Sequence, residues 1–334
     1  MDPAPAPPTA RHRRAGSLEV LLIGLAVLAL SASWLRGVVV DRPLLGTAAT
    51  VFSGVFVQAL PFLVLGVVVS GLIAAFVDAE RLASWLPRRP AAAVAVAGVA
   101  GAALPGCECG SVPVARRLYA PGRLGAAALT FMLSAPAINP VVLVATAVAF
   151  PGQPAMVAAR CVASLLTAVV MGLLWSRFGR DGWVTVSRLR PERTAGGSRW
   201  TVFGDAARED FLQAASFLVL GAAAAAALRV AVPPWMFDHL AGHLLLGVLV
   251  MAALAVVLAL CSEADAFVAA SLTMVPLVPR LVFLVVGPAV DAKLVAMHAG
   301  MFGRRFAVAF APATFVVATV LATVVGLVAL GGAS

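Results

Sequence analysis

Apolar stretches, many of them long enough to cross a lipid bilayer, recur along almost the whole chain. They lie at 18–40 and at about 47–77, 91–104, 124–149, 154–176, 206–232, 240–260, 265–278, 281–302 and 306–330. A transmembrane helix needs about 20 apolar residues. With 62% hydrophobic and only 12% charged residues, the chain has too little polar surface for a soluble globule. The sequence therefore predicts an all-α polytopic membrane protein.

The amino-terminal region begins with a proline-rich segment, 1–17, that we predict to be a disordered tail. The stretch 18–40 follows several arginines, as the apolar part of a signal peptide does, but its length favours a retained first transmembrane span. Most other arginines, including Arg116 and Arg117, lie in short connections and are interpreted as topology determinants. We therefore attribute the net charge of +9 to arginines that orient the chain in the membrane, and we expect no nucleic-acid partner. We expect a multi-pass protein of the inner (plasma) membrane with a cytoplasmic N-terminus.

Two parts of the chain are copies of one unit. "FVQALPFLVLG" at 56–66 recurs as "FLQAASFLVLG" at 211–221, "CECGS" at 107 aligns with "CSEAD" at 261, and "PAIN" at 136 aligns with "PAVD" at 288. Three matches in one order and at nearly one offset indicate an internal repeat. Repeat A spans 47–176 and repeat B spans 206–331, with a cytoplasmic linker at 177–205 between them.

The charges of the connections predict how the two copies are oriented. If the segment around Cys107 and Cys109 enters and leaves the membrane on the same face, the arginines of the connections fall on the cytoplasmic side. The fold is then an N-terminal span plus two inverted repeats, each with a long helix, a broken re-entrant hairpin and two further spans, which is a common transporter plan. The alternative is that both hairpins are ordinary pairs of spans and that the repeat is parallel.

The motif "ALPGCECGSVPVARR" places two cysteines at a helix break. Pro105 and Gly106 end the preceding half-helix, and Gly110 favours an extended turn in which Cys107 and Cys109 converge. Inversion of the repeat would bring Cys261 toward them. Thiolates bind soft species such as Cu(I), Zn(II) or trivalent arsenic, so the three cysteines predict a substrate site, without a resident metal or cofactor. The alternative is that they are small buried apolar residues.

Polar residues at membrane depth extend this site. Ionisable groups there are costly and usually face a pathway or a partner. We assign Glu108, Asn139 and Asp291 to substrate binding. Prolines lie near Asn139 and Asp291, and each proline leaves a backbone carbonyl of its helix without a donor. The alternative for Asn139 and Asp291 is a packing kink without a ligand.

A second group of ionisable residues is assigned to coupling, with protons as the candidate ion. Its members are Glu263, Asp265, Lys293 and His298. Lys293 is the only lysine in the chain, and helical spacing predicts that it points away from the face shared by Asp291 and His298. The alternative for Lys293 is a structural ion pair with one of the acids.

The sequence lacks several motifs that are typical of ATPases and hydrolases. The sequence has no G-x-x-x-x-G-K-[ST], so the chain is not expected to hydrolyse ATP, and it has neither H-E-x-x-H nor G-x-S-x-G. We therefore do not expect an enzyme. The expected partners are the lipid bilayer and a small-molecule or ion substrate, and the sequence does not define the oligomeric state.

Three motifs together resemble a known family. "LPGCECGSVPVARRL", "LSAPAINPVVL" and "CSEADAFVAASL", in this order and with this repeat, resemble the bacterial predicted-permease family that includes organoarsenical efflux permeases. The resemblance implies an inner-membrane permease. In the arsenical branch of the family, trivalent organoarsenicals are exported with the use of membrane cysteines, and the candidates here are Cys107, Cys109 and Cys261. Glu108 stands where a small residue is commoner. Alternative functions are a membrane thiol redox or sulfur-relay protein using Cys107 and Cys109, a sulfur-anion transporter, and an assembly subunit.

Overall fold

The computed structural model describes residues 43–76, 87–104, 108–119, 123–184, 198–231 and 244–331, and within these ranges it is all-helical. The helices are α1 (Pro43–Phe76), α2 (Pro90–Ala100), α3 (Glu108–Leu118), α4 (Arg123–Ile138), α5 (Pro140–Ala149), α6 (Pro154–Phe178), α7 (Arg199–Ala231), α8 (Leu244–Leu258), α9 (Ser262–Ser271), α10 (Leu277–Ala289), α11 (Ala292–Met301) and α12 (Arg304–Leu330). The predicted all-α class is thus confirmed. The predicted first span, most of the linker and Cys107 lie outside the described residues.

Long apolar helices make the described part of the chain a multi-pass membrane protein. Five helical segments are long and apolar enough to cross a bilayer: Gly46–Phe76, Leu124–Ala149, Pro154–Phe178, Leu277–Met301 and Arg304–Leu330. Large apolar side chains are exposed along them, as expected where a helix faces lipid rather than water.

Two of these spans are interrupted near their prolines. The chain leaves the helical conformation at Asn139, and Pro140 starts α5 at a position where its missing N–H group costs nothing. The Asn139 side chain then accepts the N–H of Val142 at 3.0 Å. In the second interrupted span, Asp291 accepts the N–H of Leu294 at 2.7 Å and caps α11. Both breaks are therefore stabilised by a side-chain cap.

The segment that begins at Glu108, after the predicted helix break at Pro105 and Gly106, differs from the sequence prediction. Because α3 begins at Glu108, Cys109 and Gly110 are helical, and the extended turn predicted through Gly110 is wrong. Gly110 instead lies at a close helix–helix contact. A Cβ atom added at Gly66 of α1 would lie 2.5 Å from the Gly110 Cα atom, so the two helices touch backbone to backbone at this glycine pair.

The short helices bring distant parts of the chain together. Helix α3 packs against α4, α7 and α11, whereas α9 packs against α5 and α10. As a result, the N-termini of α3, α9 and α11 meet in the protein interior, as the contacts among Glu108, Ser262 and Lys293 demonstrate. This junction positions the candidate site.

Candidate substrate and coupling site

Lys293 lies at the centre of a buried polar cluster. Its ammonium group is 2.5 Å from Glu108 Oε1 and 3.0 Å from Asp291 Oδ2, and its side chain is fully buried. It also donates to the carbonyls of Ala259 (3.0 Å) and Leu260 (2.8 Å). These carbonyls follow the end of α8, where Ala259 has a φ of 46°. The ammonium thus binds backbone oxygens that the helix end leaves free.

The contact between Lys293 and Asp291 corrects the sequence prediction. Helical spacing placed the two side chains on different faces, but Asp291 is the N-cap of α11 and has extended backbone geometry. Helical periodicity therefore does not apply to it. The structure supports an ion pair between Lys293 and two of the predicted acids.

Arg160 extends the cluster from α11 to α6. This arginine is 0% exposed, and it donates from Nη1 to Thr146 Oγ1 (2.6 Å) and from Nη2 to the Ser262 carbonyl (2.8 Å). The Ser262 hydroxyl donates in turn to Glu108 Oε2 at 3.3 Å. A chain of polar contacts therefore runs from α6 through α9 and α3 to Lys293.

Two predicted coupling residues have buried oxygens without a hydrogen-bond donor among the described residues. They are both carboxylate oxygens of Glu263 and the Oδ2 atom of Asp265. Asp265 interacts electrostatically with Arg160, Glu108, Lys293 and Asp291. Its Oδ2 atom also touches the backbone before Pro288, because a Cβ atom added at Gly287 would lie only 2.6 Å from it.

Two predicted thiols belong to the same region. Cys109 and Cys261 are buried, and both are close enough to Lys293 to interact with it electrostatically. We call these groups together the central cluster: Glu108, Cys109, Arg160, Cys261, Glu263, Asp265, Asp291 and Lys293. Its four carboxyl groups and two basic groups carry a formal charge of −2 when all are ionised. Within the described ranges, no group of three or more His, Cys, Asp and Glu side chains is arranged to hold a metal ion.

Asn139 and His298 have different surroundings. Asn139 caps α5 and donates to the Ala135 carbonyl at 3.0 Å, so these contacts stabilise its own helix break. His298 is buried against the rings of Phe302, Phe306 and Phe310, at centroid distances of 5.8–6.3 Å. Its Nδ1 atom has no hydrogen-bond partner among the described residues. The imidazole is therefore packed into an aromatic group and not into the acids of the central cluster.

Arg160 is the functional candidate that the sequence analysis missed. The signal was present, because a lone arginine within the apolar stretch 154–176 is costly unless it has a buried partner. The interpretation of Arg116 and Arg117 as topology determinants stays a prediction, but their contacts were not foreseen. Arg116 is only 4% exposed and donates to Gln213, whereas Arg117 forms an ion pair with Asp210. Both arginines thus have partners inside the protein, on another helix.

Replacing Arg160 by methionine is expected to destabilise the protein strongly. The substitution removes two buried hydrogen bonds from a charged donor, each typically worth about 1.5–3 kcal/mol, and a cation that interacts electrostatically with Asp265. Adding Asp265→Asn should restore part of the loss, because one of the carboxylates that Arg160 balances is then neutral. Thermal unfolding in detergent measures both effects, with Arg177→Met, an exposed change on the same helix, as control. Equal melting temperatures for Arg160→Met and the control would contradict the assignment.

Apolar spans around buried acids, bases and thiols at helix breaks are the architecture of a membrane transport protein. The chain belongs to the ArsP_1 family, described as "Predicted permease", whose model matches residues 44–327. It is 34% identical over 282 residues to "UPF0718 protein YcgR" of Bacillus subtilis, covering 82% of this chain and 94% of that protein. It is 28% identical over 284 residues to the "Putative two-component membrane permease complex subunit" of Streptococcus mutans, covering 83% of this chain and 94% of that protein. No solved structure matches the chain significantly.

Proposed function

We propose that this protein is a secondary permease that exports a small thiophilic solute, such as a trivalent organoarsenical, through the central cluster. The observation that carries the proposal is the position of the Cys109 and Cys261 thiols. Both are buried where helix N-termini meet, Cys109 in the first turn of α3 and Cys261 at the cap of α9, and both interact electrostatically with Lys293. Thiolates are the ligands that soft species prefer, and the surrounding acids give a route for charge compensation.

The charge of the central cluster distinguishes this proposal from the alternative of a sulfur-anion transporter. When all of its groups are ionised, its formal charge of −2 favours a cationic or protonated ligand over an anion. The burial of Cys109 and Cys261, at 0% and 1% exposure, also disfavours a sulfur relay, which needs a thiol that a protein partner can reach.

Proton coupling is the finer part of the proposal. Glu263 and Asp265 are candidates to carry the proton, because their buried oxygens lack donors among the described residues. Lys293 donates to two backbone carbonyls and forms ion pairs with two carboxylates, so it acts as a fixed counter-ion. His298 is a weaker candidate, since the contacts described for it are with aromatic rings.

The inverted repeat is also part of the proposal, with the N-terminus and the linker in the cytoplasm. In support, six helices in 43–178 are followed by six in 199–330 in the same order of long, short, short, broken and long elements. The packing is reciprocal as well, because α3 contacts α11 and α9 contacts α5. If α2 and α3 form a re-entrant hairpin, each half crosses the membrane an odd number of times, and the second half is inverted.

Solute export tests the function directly. In a sensitive host, we expect the wild type to raise resistance to one compound of a panel and to lower its accumulation, the panel being trivalent organoarsenicals, arsenite, copper and thiosulfate. Cys109→Ser and Cys261→Ser should each abolish the effect at equal membrane abundance, because the soft ligands are lost. Cys161→Ser, in the middle of α6, is the matched control. A panel on which the wild type equals the empty vector would contradict the proposal.

A further inference from the structure

A second buried polar network lies at the opposite end of α3 from the central cluster. Arg117 binds both oxygens of Asp210 on α7, with Nε to Oδ2 at 2.8 Å and Nη2 to Oδ1 at 3.0 Å. The two side chains are 5% and 0% exposed. The Ser70 hydroxyl of α1 donates to the same carboxylate at 2.6 Å. Asp210 thus joins α1, α3 and α7.

Gln213 connects this network to a fourth helix. Its Oε1 atom accepts a hydrogen bond from Arg116, and its Nε2 atom donates to the Gly300 carbonyl of α11 at 3.0 Å. We call the five side chains of Ser70, Arg116, Arg117, Asp210 and Gln213 the latch.

The latch holds the two helices that carry the central ion pair. Helix α3 begins at Glu108 and has Arg116 and Arg117 in its last turn. Helix α11 has Lys293 in its first turn and Gly300 in its last. Each is a short segment of about 15 Å, and its backbone hydrogen bonds hold it together, although Pro113 removes one of them within α3. A shift of either helix at the latch is therefore transmitted to the Glu108–Lys293 pair.

The repeat does not supply a second copy of the Arg117–Asp210 ion pair. At the offsets of the repeat, the counterparts of Arg116 and Arg117 are Ala270 and Ser271, and the counterpart of Asp210 is Val55. Helix α9 therefore cannot be held by an equivalent ion pair. Packing alone would require no such difference, since both copies bury the same kinds of helices.

We propose that the latch is a gate that closes the path from the central cluster to the membrane face at which α3 ends. The structure is the state closed on that face, which the proposed topology places in the cytoplasm. Solute enters when Arg117 and Asp210 separate and the ends of α3 and α11 move away from α7. This inference rests on the proposed transport function, but it does not depend on the identity of the solute.

The gate is tested by the reactivity of the native Cys109 thiol, which is buried at the start of α3. In a Cys107→Ala/Cys161→Ala/Cys261→Ala background, in which Cys109 is the remaining thiol, the neutral variant Arg117→Gln/Asp210→Asn loses the ion pair without leaving an unpaired charge. We expect a membrane-impermeant maleimide to label Cys109 at least about tenfold faster in inside-out vesicles and at an unchanged rate in right-side-out vesicles. A tenfold shift of an opening equilibrium corresponds to about 1.4 kcal/mol, less than the usual effect of losing a buried charged hydrogen bond. Arg305→Gln, an exposed change at the start of α12, is the matched control.

Charge reversal provides the second arm. The variant Arg117→Asp/Asp210→Arg should return the labelling rate toward that of the wild type, whereas Arg117→Asp alone should not. Unchanged labelling in the neutral variant, or an equal increase from both faces, would overturn the gate. Because labelling needs no solute, one-sided labelling together with a negative export panel would reject the proposed substrate and keep the gate.

Discussion

Replacing Lys293 by methionine is expected to leave little folded protein in the membrane. The ammonium group balances the charges of Glu108 and Asp291 and donates hydrogen bonds to two backbone carbonyls, which methionine cannot do. Without it, two buried carboxyl groups face each other with no cation bound between them. Removing one partner of a buried ion pair typically costs about 3–5 kcal/mol. That is a large part of the roughly 5–15 kcal/mol that stabilises an ordinary domain.

Membrane abundance and thermal unfolding in detergent measure this effect, and a neutral triple variant separates stability from function. Adding Glu108→Gln and Asp291→Asn to Lys293→Met removes the unpaired charges. Asparagine at 291 should still cap α11, because Asn139 caps α5 with the same atom type. We expect the triple variant to fold again but not to export solute. Arg304→Met, at the exposed start of α12, is the control. A single Lys293→Met variant as stable as this control would show that the ion pair is not needed for folding.

Replacing Gly66 by alanine is expected to be the most damaging of the small substitutions. The added methyl group would lie 2.5 Å from the Gly110 Cα atom and 2.7 Å from its carbonyl carbon. These are backbone atoms, so α1 and α3 must separate. Overpacking of this kind costs about 1–3 kcal/mol, and sometimes more.

Gly54→Ala is the matched control, because it lies on the same helix and a Cβ atom there meets nothing within 4 Å. Alanine is the better helix former by about 1 kcal/mol, so this variant should be neutral or slightly stabilised. Thermal unfolding of the two variants therefore separates helix–helix contact from intrinsic propensity. We also expect Gly66→Ala to reduce export, since Gly110 is within one turn of Glu108 and Cys109. Identical melting temperatures for the two variants would rule out the close contact.

The acids, the thiols and the helix breaks could be predicted because each interrupts an apolar pattern locally. A proline or a carboxylate within an apolar stretch is visible in the sequence without any knowledge of the fold. The partners could not be predicted in the same way. Arg160 binds the Ser262 carbonyl across 102 residues, and Arg117 meets Asp210 across 93. Counting charges in connections also cannot distinguish an arginine at the lipid headgroups from one that turns inward to an acid on another helix.

The helical start at Glu108 has a similar explanation. Glycine and proline around the cysteines indicated a turn, but the Gly110–Gly66 contact and the Lys293–Glu108 pair depend on α1 and α11. Tertiary contacts therefore decided between turn and helix at this position. Conversely, the caps at Asn139 and Asp291 use only neighbouring backbone groups, and their role as structure breakers was already evident from the sequence.

The meeting of the N-termini of α3, α9 and α11 has an electrostatic consequence. Each helix start contributes a partial positive charge of about +0.5 from its aligned peptide dipoles, and this charge does not titrate or leave with a ligand. Glu108, Glu263, Asp265 and Asp291 all lie in the first turn or at the cap of one of these helices. The peptide backbone therefore offsets most of the excess negative charge of the side chains. One arriving cation then keeps the interior close to neutral, whereas an anion drives it further from balance.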